Sequence, residues 1–367
     1  MPEHEIDALK LVFSDFHLGR GVYLPSGLPN LLEEFHQDAK LAELLEYYSV
    51  GPGRRGAGDV EAVFNGDFLD YLSVDVSGGY PDALFEALAV EATALICDGH
   101  PIVFDALRRF AATPGCRIRY QLGNHDPAIA WPSVQEYLRQ RVGAPIEFGF
   151  DGYEFDDVRI EHGHQHEVGH QFDTAQLILP AGPLGRKEPI INFPFGCFFV
   201  ACFLTGLRGR RHYISQVVPF RLYLRWAFVN DFWFALWAGI RVGAFFIKMR
   251  FIRHPTRFSR FSKTLKILRD IFWPPRLEKV AARLLDRAAY RILIMGHNHE
   301  ACLRTYPHGK QYLNSGTWTG FTSFEPPLLG RHLVRSYVIL EREAGGTWRA
   351  ALKQWFGKPA VEESLHW

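Results

Sequence analysis

Residues 60–70 read VEAVFNGDFLD, a short apolar strand that runs into Gly66 and then into two aspartates, Asp67 and Asp70. Apolar runs of this length are typical of buried strands. The same pattern of a strand followed by a polar cluster occurs four more times, at Asp15-Phe16-His17, Gly123-Asn124-His125-Asp126, His162-Gly163-His164 and Gly296-His297-Asn298-His299. In an α/β protein the loops at the carboxyl ends of strands converge on one crevice, so we expect these side chains to meet.

The segments between these clusters predict a mixed α/β architecture. Amphipathic or apolar helices are predicted at Leu31 to Tyr48, Pro81 to Ile96, Ile102 to Phe110 and Leu277 to Ala289. Strands are predicted at Lys10 to Ser14, Val60 to Asn65, Arg117 to Leu122, Ile146 to Phe150, Tyr153 to Asp156, Val158 to Glu161, Arg291 to Met295, Leu303 to Tyr306, Gln311 to Asn314 and Tyr337 to Glu341. Asp151-Gly152 predicts a two-residue hairpin. Together they indicate mixed sheets covered by helices.

The polar clusters favour a cation site over a hydrophobic core. Carboxylates, an amide and imidazoles, without thiolates, suit divalent ions such as Mn, Fe, Mg or Zn. They supply more ligands than one ion needs, and an aspartate can bridge two ions roughly 3.5–4 Å apart. Each motif alone has a simpler interpretation, since GDxxD can be a turn with a helix cap and GNHD a tight turn. Five such clusters in series favour the metal interpretation.

The cysteines and the N-terminus indicate a reducing compartment. The five cysteines are odd in number and form no C-x-x-C pair, so neither a disulfide framework nor a cysteine-based zinc site is expected. The segment Met1 to Asp7 has neither the positive charge nor the apolar run of a secretory signal. We therefore expect a cytoplasmic catalytic part.

The series DxH, GDxxD, GNHD, His and GHxH resembles the calcineurin-like metallophosphoesterase superfamily. The resemblance extends from Lys10 to Leu340, apart from roughly 100 residues of insertion. It implies a four-layer αββα sandwich of α+β or α/β class, in which two mixed β-sheets are flanked by helices. It also implies a site for two divalent ions at the strand ends, with manganese as the expected metal and Fe, Zn or Mg as alternatives.

The resemblance also assigns the ligands. One cation would be held by Asp15, His17, Asp67 and His299. The second would be held by Asp67 as a bridge together with Asn124, His162 and His297. His164 is the alternative ligand to His162, and otherwise it faces the substrate or lies behind the ligands.

The resemblance places the catalytic acid beside Asn124. His125 would approach the phosphate as a general acid or charge stabiliser, since a histidine titrates near neutral pH. Asp126 would orient His125, and Asp70 would lie behind the metal ligands.

The net charge of +1 conceals an uneven distribution. From Arg208 to Asp270 there are fourteen Lys or Arg and only two Asp, a local charge of +12, which leaves −11 for the rest of the chain. Between Phe193 and Trp273, 21 of 81 residues are aromatic. The sequence therefore predicts an acidic core, residues 1–185 and 276–345, with a helical basic and aromatic insertion at 186–275 and a tail at 346–367.

The insertion leads us to expect a partner at the membrane. Ile190 to Leu207 is uncharged and ends at the basic cluster Arg208 to His212, while Met249 to Leu268 interleaves basic and apolar residues. We expect a lid on an anionic membrane surface that admits a phosphorylated, lipid-linked substrate. The alternatives are a membrane hairpin and an ordinary helical subdomain or dimer surface. Nucleic acid is not expected, because these runs are more hydrophobic than stacking on bases requires.

Within the superfamily, an insertion of this kind resembles that of the UDP-2,3-diacylglucosamine hydrolases, which cleave a pyrophosphate at the inner face of the membrane. Those enzymes carry Arg at the position of His125, and their chains are shorter. Tyr71-Leu72 follows Asp70 where protein phosphatases have Arg-Gly, which counts against a protein phosphatase. Alternative functions are a small-molecule or cyclic-nucleotide phosphodiesterase and a metal-binding membrane scaffold without turnover. The oligomeric state is left open.

Overall fold

The structure is a computed structural model that describes residues 6–76, 83–181, 187–218, 220–251, 266–267, 269–270, 275–326, 329–343 and 345–357. Two mixed sheets form its centre. The strands of the first sheet are β1 (Ile6–Phe13), β2 (Asp59–Asn65), β3 (Cys116–Gln121), β4 (Ile146–Gly149), β15 (Ser336–Glu343) and β16 (Arg349–Gln354). They lie in the order β16-β15-β1-β2-β3-β4. Strands β1 to β4 are parallel, and β15 runs antiparallel to both β1 and β16.

The second sheet is built from β5 (Tyr153–Phe155), β6 (Val158–Ile160), β10 (Ile292–Met295), β11 (Cys302–Thr305) and β12 (Gln311–Asn314). Their order is β11-β12-β10-β6-β5, with β6, β10 and β12 parallel and the two edge strands antiparallel. Two small sheets pair β7 (Ile178–Leu179) with β8 (Ile190–Ile191), and β13 (Phe321–Ser323) with β14 (Gly330–His332) and β9 (Val217–Val218).

The alternation of side chains along β1 shows how the sheets are covered. Ala8 and Val12 point to one face and join a hydrophobic cluster with Ile160 and Ile294 of the second sheet. Leu9, Leu11 and Phe13 point to the other face and join the main core, to which the helices contribute. Because successive side chains of a strand face opposite sides, a strand buried on both faces reads as a continuous apolar run.

Helices flank both sheets. The main core contains side chains from α1 (Asp38–Ser49), α2 (Glu86–Gly99), α3 (Pro101–Ala112) and α4 (Pro132–Val142). The second sheet packs against α9 (Leu277–Arg287), whose Leu277, Ala281 and Leu285 meet Leu293 and Tyr312. The predicted mixed sheets with flanking helices are confirmed.

Two local predictions are wrong. The turn at Asp151-Gly152 does not close a hairpin, because β4 belongs to the first sheet and β5 to the second. The hairpin is instead β5 with β6, and its turn contains Asp156 at a φ of 46°. The first helix begins at Asp38 rather than Leu31, since Glu33 binds the backbone N–H groups of Gly19, Gly21 and Phe35 and holds the preceding segment as a loop.

The uncharged run of the insertion forms a short helix packed on the core. After β8 the chain continues through α5 (Phe195–Phe199), a π-helical segment (Val200–Leu204) and α6 (Thr205–Arg208). Phe195, Cys197 and Phe198 lie within the main hydrophobic core. The apolar composition of this run is therefore explained by core packing.

Two further helices, α7 (Phe220–Asn230) and α8 (Phe232–Phe251), carry the aromatic part of the insertion. Asp231 between them accepts a hydrogen bond of 2.9 Å from Nε of Arg211, so this charge is paired. The predicted amphipathic segment Met249 to Leu268 lies mostly outside the described residues.

Among the described helices, none alone has the length and hydropathy needed to span a bilayer. In the part of the chain that the structure describes, α2 and α3 together reach that threshold by length and composition, and these two helices meet at an angle of 91°.

The residues assigned to the tail contribute the edge strand β16. Trp348 is buried between the sheets and donates from Nε1 to Asp156 at 2.8 Å, while Trp355 packs on Tyr47. Trp367 lies outside the described residues. The division of the chain into core, insertion and tail stays a prediction.

Candidate metal centre

The five polar clusters follow strands β1, β2, β3, β6 and β10, and backbone hydrogen bonds tie their loops together. The N–H groups of Phe16 and His17 both donate to the carbonyl of Asp67, each at 2.9 Å. The N–H of Gly296 donates to the carbonyl of His162 at 2.9 Å, which connects the loops of the second sheet. Backbone hydrogen bonds alone therefore fix these loops to one another.

The backbone at this site is strained. Eight non-glycine residues in the described part of the chain have positive φ, and five of them are predicted ligands: Asp15, His17, Asp67, His297 and His299. Each such residue in the left-handed region costs of order 1 kcal/mol or more, and strain of this kind concentrates at functional sites. Gly66, at a φ of 82°, precedes Asp67, and a Cβ there would lie 2.6 Å from the ring of His162. The turn before Asp67 therefore requires glycine.

The first cluster joins the loops after β1 and β10. Nε2 of His17 lies 3.1 Å from Nε2 of His299, and Nε2 of His299 lies 3.3 Å from Oδ1 of Asp15. Oδ2 of Asp67 is 3.9 Å from Nε2 of His17. Ligands bound about 2.1 Å from one cation lie roughly 3 Å apart, so the four predicted ligands of the first cation have suitable spacing.

The second cluster lies beside the first. Nε2 of His162 is 3.3 Å from Oδ2 of Asp67 and 3.9 Å from Oδ1 of Asp15. His297 also brings a ring nitrogen within 4.8 Å of the ligand atoms of Asp67 and His162. Nδ1 of His162 donates to the carbonyl of Asn65 at 2.8 Å, which leaves Nε2 directed at the cluster. His164 is buried but belongs to none of the candidate ligand groups in the described residues.

Unpartnered buried atoms show that the residues fit a cation. Oδ1 of Asp15, Oδ1 of Asn124 and Nε2 of His162 are buried, and none has a hydrogen-bond partner among the described residues. A buried polar atom without a partner costs about 1–3 kcal/mol, and three in one place need an explanation. All three are lone-pair donors of the kind that divalent cations accept.

The pKa values of the clustered aspartates and histidines also fit a cation site. Burial alone would raise the pKa of Asp15, but the imidazoles of His162 and His299 lower it to about 2. Burial would lower the pKa of His162, but Asp67 and Asp15 raise it to about 10. Burial and the neighbouring His125 lower the pKa of His17 to about 4. The carboxylates are thus ionised and balanced by protons on imidazole, which cations displace on binding.

The partner of His125 differs from the expectation. Nδ1 of His125 lies 2.9 Å from Oδ1 of Asp70, so Asp70 and not Asp126 orients this ring. Asp126 instead accepts hydrogen bonds from the N–H groups of Phe68 and Gly123 and from the hydroxyl of Tyr120. Its carboxylate therefore joins the GNHD turn to the loop after β2 and to the end of β3.

The electrostatics agree with this pairing. Burial would lower the pKa of His125, but Asp70 and Asp67 raise it to about 9. Burial together with the charge of Asp67 raises the pKa of Asp126 to about 7. His125 is therefore protonated at neutral pH, and Asp126 is a poor counter-ion for it.

The sequence analysis missed one acidic residue. Oε2 of Glu167 lies 2.7 Å from Nε2 of His297 and 2.5 Å from Nδ1 of His170. Glu167 follows the histidine-rich loop without a strand or motif of its own, so only its position one residue after His166 could have drawn attention to it.

The insertion contacts the site directly. Sγ of Cys197 in α5 donates to the carbonyl of Asn124 at 3.2 Å. At the end of α6, the buried guanidinium of Arg208 lies 2.7 Å from Oε1 of Glu34 and donates to Oγ of Ser73 at 2.8 Å. The start of the insertion is thus part of the wall of the site.

Comparisons with known proteins find similarity in structure only. Neither a protein-family model nor a curated protein matches the sequence. The similar solved structures include the zinc complex of Vps29 from Entamoeba histolytica, with 13% identity, a TM-score of 0.28, and 95% of this chain and 99% of that chain covered.

Two phosphoesterases are also similar in structure. A dimetal phosphatase from Danio rerio has 11% identity and a TM-score of 0.34, with 95% of this chain and 99% of that chain covered. The calcineurin-like phosphoesterase YfkN from Bacillus subtilis has 12% identity and a TM-score of 0.32, with 95% of this chain and 91% of that chain covered. Similarity at this level does not define an activity, which depends on the residues of this chain.

Proposed function

We propose that this protein is a phosphoesterase of the calcineurin-like superfamily, with a helix–sheet–sheet–helix core, that hydrolyses a phosphoester or pyrophosphate bond with two divalent cations. One observation carries the proposal. The unpartnered buried atoms belong to Asp15, Asn124 and His162, which follow three different strands. Nε2 of His162 lies 3.3 Å from Asp67 and 3.9 Å from Asp15, and the residue after Asn124 donates its N–H to Oδ1 of Asp67 at 2.7 Å. Buried polar atoms that lack a hydrogen-bond partner need an explanation, and binding of cations supplies one for all three.

The two cations would share Asp67. Asp15, His17, Asp67 and His299 would hold one, and Asp67, Asn124, His162 and His297 the other. When bound, such a pair neutralises phosphoryl oxygens and activates water at neutral pH. Manganese suits this set of oxygen and nitrogen ligands, as do Fe, Zn and Mg. In the protein, the backbone bonds of Phe16 and His17 to Asp67 hold the shared carboxylate in place.

His125 would act on the leaving oxygen of the substrate. Its Nδ1 is held by Asp70, and its ring lies edge-on to His17 with 4.6 Å between the ring centroids. Nε2 has no other partner in the described residues and is the nitrogen available to a leaving oxygen. A histidine held in this way can donate a proton to that oxygen or stabilise its charge.

Hydrolysis of a generic aryl phosphodiester with added Mn²⁺ tests the reaction, with Asp67→Asn and Asn124→Ala as the variants. Both should lose at least a thousandfold in kcat while circular dichroism stays that of the wild type. Asp105→Asn, which changes a carboxylate on the surface of α3, should keep full activity. Wild-type turnover in Asp67→Asn would contradict the site, and no turnover of the wild type with any divalent ion would favour a scaffold.

The same proposal extends to a lipid-linked substrate at an anionic membrane. Eight of the eighteen exposed large hydrophobic side chains in the described part of the chain lie on or between Trp226 and Ile247, in α7 and α8. Val229 is 82% exposed and Trp233 78% exposed. Exposed apolar side chains beside basic ones, here Arg210 and Arg241, favour the interface of a membrane. The resemblance to UDP-2,3-diacylglucosamine hydrolases makes a nucleotide-linked diacyl sugar the first substrate to test.

Vesicle sedimentation separates this proposal from a small-molecule phosphodiesterase. The triple variant Val229→Ser, Trp233→Ser, Ile240→Ser should lose most binding to vesicles that contain anionic lipid. Its turnover of a short soluble phosphodiester should stay that of the wild type. The control changes three exposed apolar residues elsewhere, Val50→Ser, Ile102→Ser and Phe356→Ser, and should bind as the wild type does. Equal binding of both variants, or no binding by the wild type, would remove the membrane part of the proposal.

A further inference from the structure

Glu167 lies between two imidazoles at the edge of the metal cluster. Its Oε2 is 2.7 Å from Nε2 of His297 and 2.5 Å from Nδ1 of His170. The side chain of Glu167 is 12% exposed. The carboxylate of Glu167 is therefore shielded from solvent, and its hydrogen bonds are directed at two histidines.

The bond to Glu167 decides which nitrogen of His297 can bind a cation. A carboxylate only accepts, so Nε2 of His297 must carry the proton, and the lone pair is then on Nδ1. His297 contributes a ring nitrogen to the cluster with Asp67 and His162. Carboxylates that accept from a ligating histidine fix its tautomer and ring orientation and raise its basicity.

The insertion closes the far side of this arrangement. The ring of His170 packs directly on Gly196 in the first turn of α5, where any Cβ would collide with it. The N–H of Gly196 donates to the carbonyl of Gly169 at 2.7 Å, which holds the loop of His170 against the helix. The next residue, Cys197, donates to the carbonyl of Asn124. One turn of the insertion thus contacts both His170, which holds Glu167, and the backbone of Asn124.

We propose that Glu167 is a positioning residue for the second cation, because it orients His297. We also propose that the turn at Gly196 and Cys197 fixes the position of Glu167 through His170. This inference rests on the proposed two-cation site, and it assigns the insertion a role within that site in addition to any at the membrane. In the described part of the chain, Gly196 and Cys197 make no hydrogen bond to His17 or His299, the residues proposed to hold only the first cation. Disturbing Glu167 or Gly196 should therefore weaken one cation selectively.

Cation binding to the metal-free full-length chain tests this, with Mn²⁺ as the probe, isothermal titration for affinity and elemental analysis for stoichiometry. Glu167→Ala should weaken one of the two sites by about 10–100-fold and leave the other unchanged. Glu167→Gln keeps the shape and one acceptor, so it should lie between Glu167→Ala and the wild type. Gly196→Ala should weaken the same site, because a methyl group there displaces His170.

The matched control is Asp38→Asn, which also replaces a carboxylate facing a buried histidine, since Oδ1 of Asp38 lies 2.8 Å from Nδ1 of His100. It should retain two cations at wild-type affinity. Two wild-type sites in Glu167→Gln and Glu167→Ala, or equal weakening of both sites, would overturn the positioning role. Failure of the wild type to bind two cations would instead contradict the proposed function, so the two outcomes are distinguishable.

Discussion

The hydrogen bond between Oδ1 of Asp70 and Nδ1 of His125 leads to the first prediction. Asp70→Asn should lower kcat by about 10–100-fold, because an amide can present either its oxygen or its nitrogen and no longer fixes the ring. Metal content should stay at two ions, since Asp70 is not among the proposed ligands. Steady-state kinetics on an aryl phosphodiester and elemental analysis measure both. Loss of a cation together with activity would mean that Asp70 supports the ligands and not the acid.

His100 provides a prediction on pH and stability. Burial would lower its pKa, but Asp38 and Glu33 raise it to about 9 from 6.5. Because the pKa of the folded state is the higher one, the charged imidazole stabilises the fold fully below pH 6.5, and this contribution is lost as the pH rises to about 9. The shift corresponds to about 3 kcal/mol.

Denaturant unfolding of the metal-free wild type and of His100→Gln should therefore differ most near pH 6. The difference in unfolding free energy should decrease steadily towards about pH 10. A difference that is independent of pH would show that His100 stabilises the fold by packing alone.

The gathering of the motif side chains at the strand ends could be predicted from the sequence, and the side-chain contacts behind them could not. The predicted ligands stand directly after apolar strands, and parallel strands bring their carboxyl ends together whatever the loops contain. Glu167 and Asp70 depend on side-chain directions across loops. The spacing in GNHD suggests Asp126 as the partner of His125, but its carboxylate accepts from the N–H groups of Gly123 in the same turn and of Phe68 in the loop after β2.

At the scale of elements, the link between insertion and core depends on Arg208 at the end of α6. Its guanidinium is 3% exposed and contacts Oγ of Ser73, the carbonyl of Leu32 and the carboxylate of Glu34. Arg208→Ala should destabilise the protein by about 3–5 kcal/mol, because it leaves the carboxylate of Glu34 without its partner. Chemical denaturation measures this, and Arg225→Ala on the exposed side of α7 should change stability by less than about 0.5 kcal/mol. Equal losses of unfolding free energy in Arg208→Ala and Arg225→Ala would show that Arg208 does not hold the insertion on the core.

Strands that carry a motif were located well, but the connections between elements were not. Gln311–Asn314 was predicted with its observed ends because Tyr312 and Leu313 lead into a turn of Asn, Ser and Gly. Asp151-Gly152 has the local chemistry of a hairpin, yet which sheet each flanking strand joins is decided by distant residues. The apolar run of the insertion was a candidate for membrane contact because composition does not distinguish burial in lipid from burial in protein.

For the whole molecule, the net charge of +1 is the sum of a basic segment, +12 from Arg208 to Asp270, and an acidic remainder of −11. The acidic core supplies the aspartates that gather at the strand ends, and the basic insertion contributes Arg208 to the wall of that site. The insertion is therefore joined to the core by hydrogen bonds and an ion pair. It follows that cation binding, folding of the core and docking of the first insertion helices should be coupled.

This coupling gives the last prediction, on the removal of metal. Cations that bind only the folded chain stabilise it by about 4 kcal/mol per site when they are present at a thousandfold excess over Kd. A chelator should therefore lower the thermal midpoint of the wild type by several degrees, and added Mn²⁺ should restore it. Asp67→Asn, which removes the shared ligand, should show little response to either. A chelator effect of equal size in Asp67→Asn would mean that the stabilising cation binds elsewhere, since no other side chain is proposed to contact both ions.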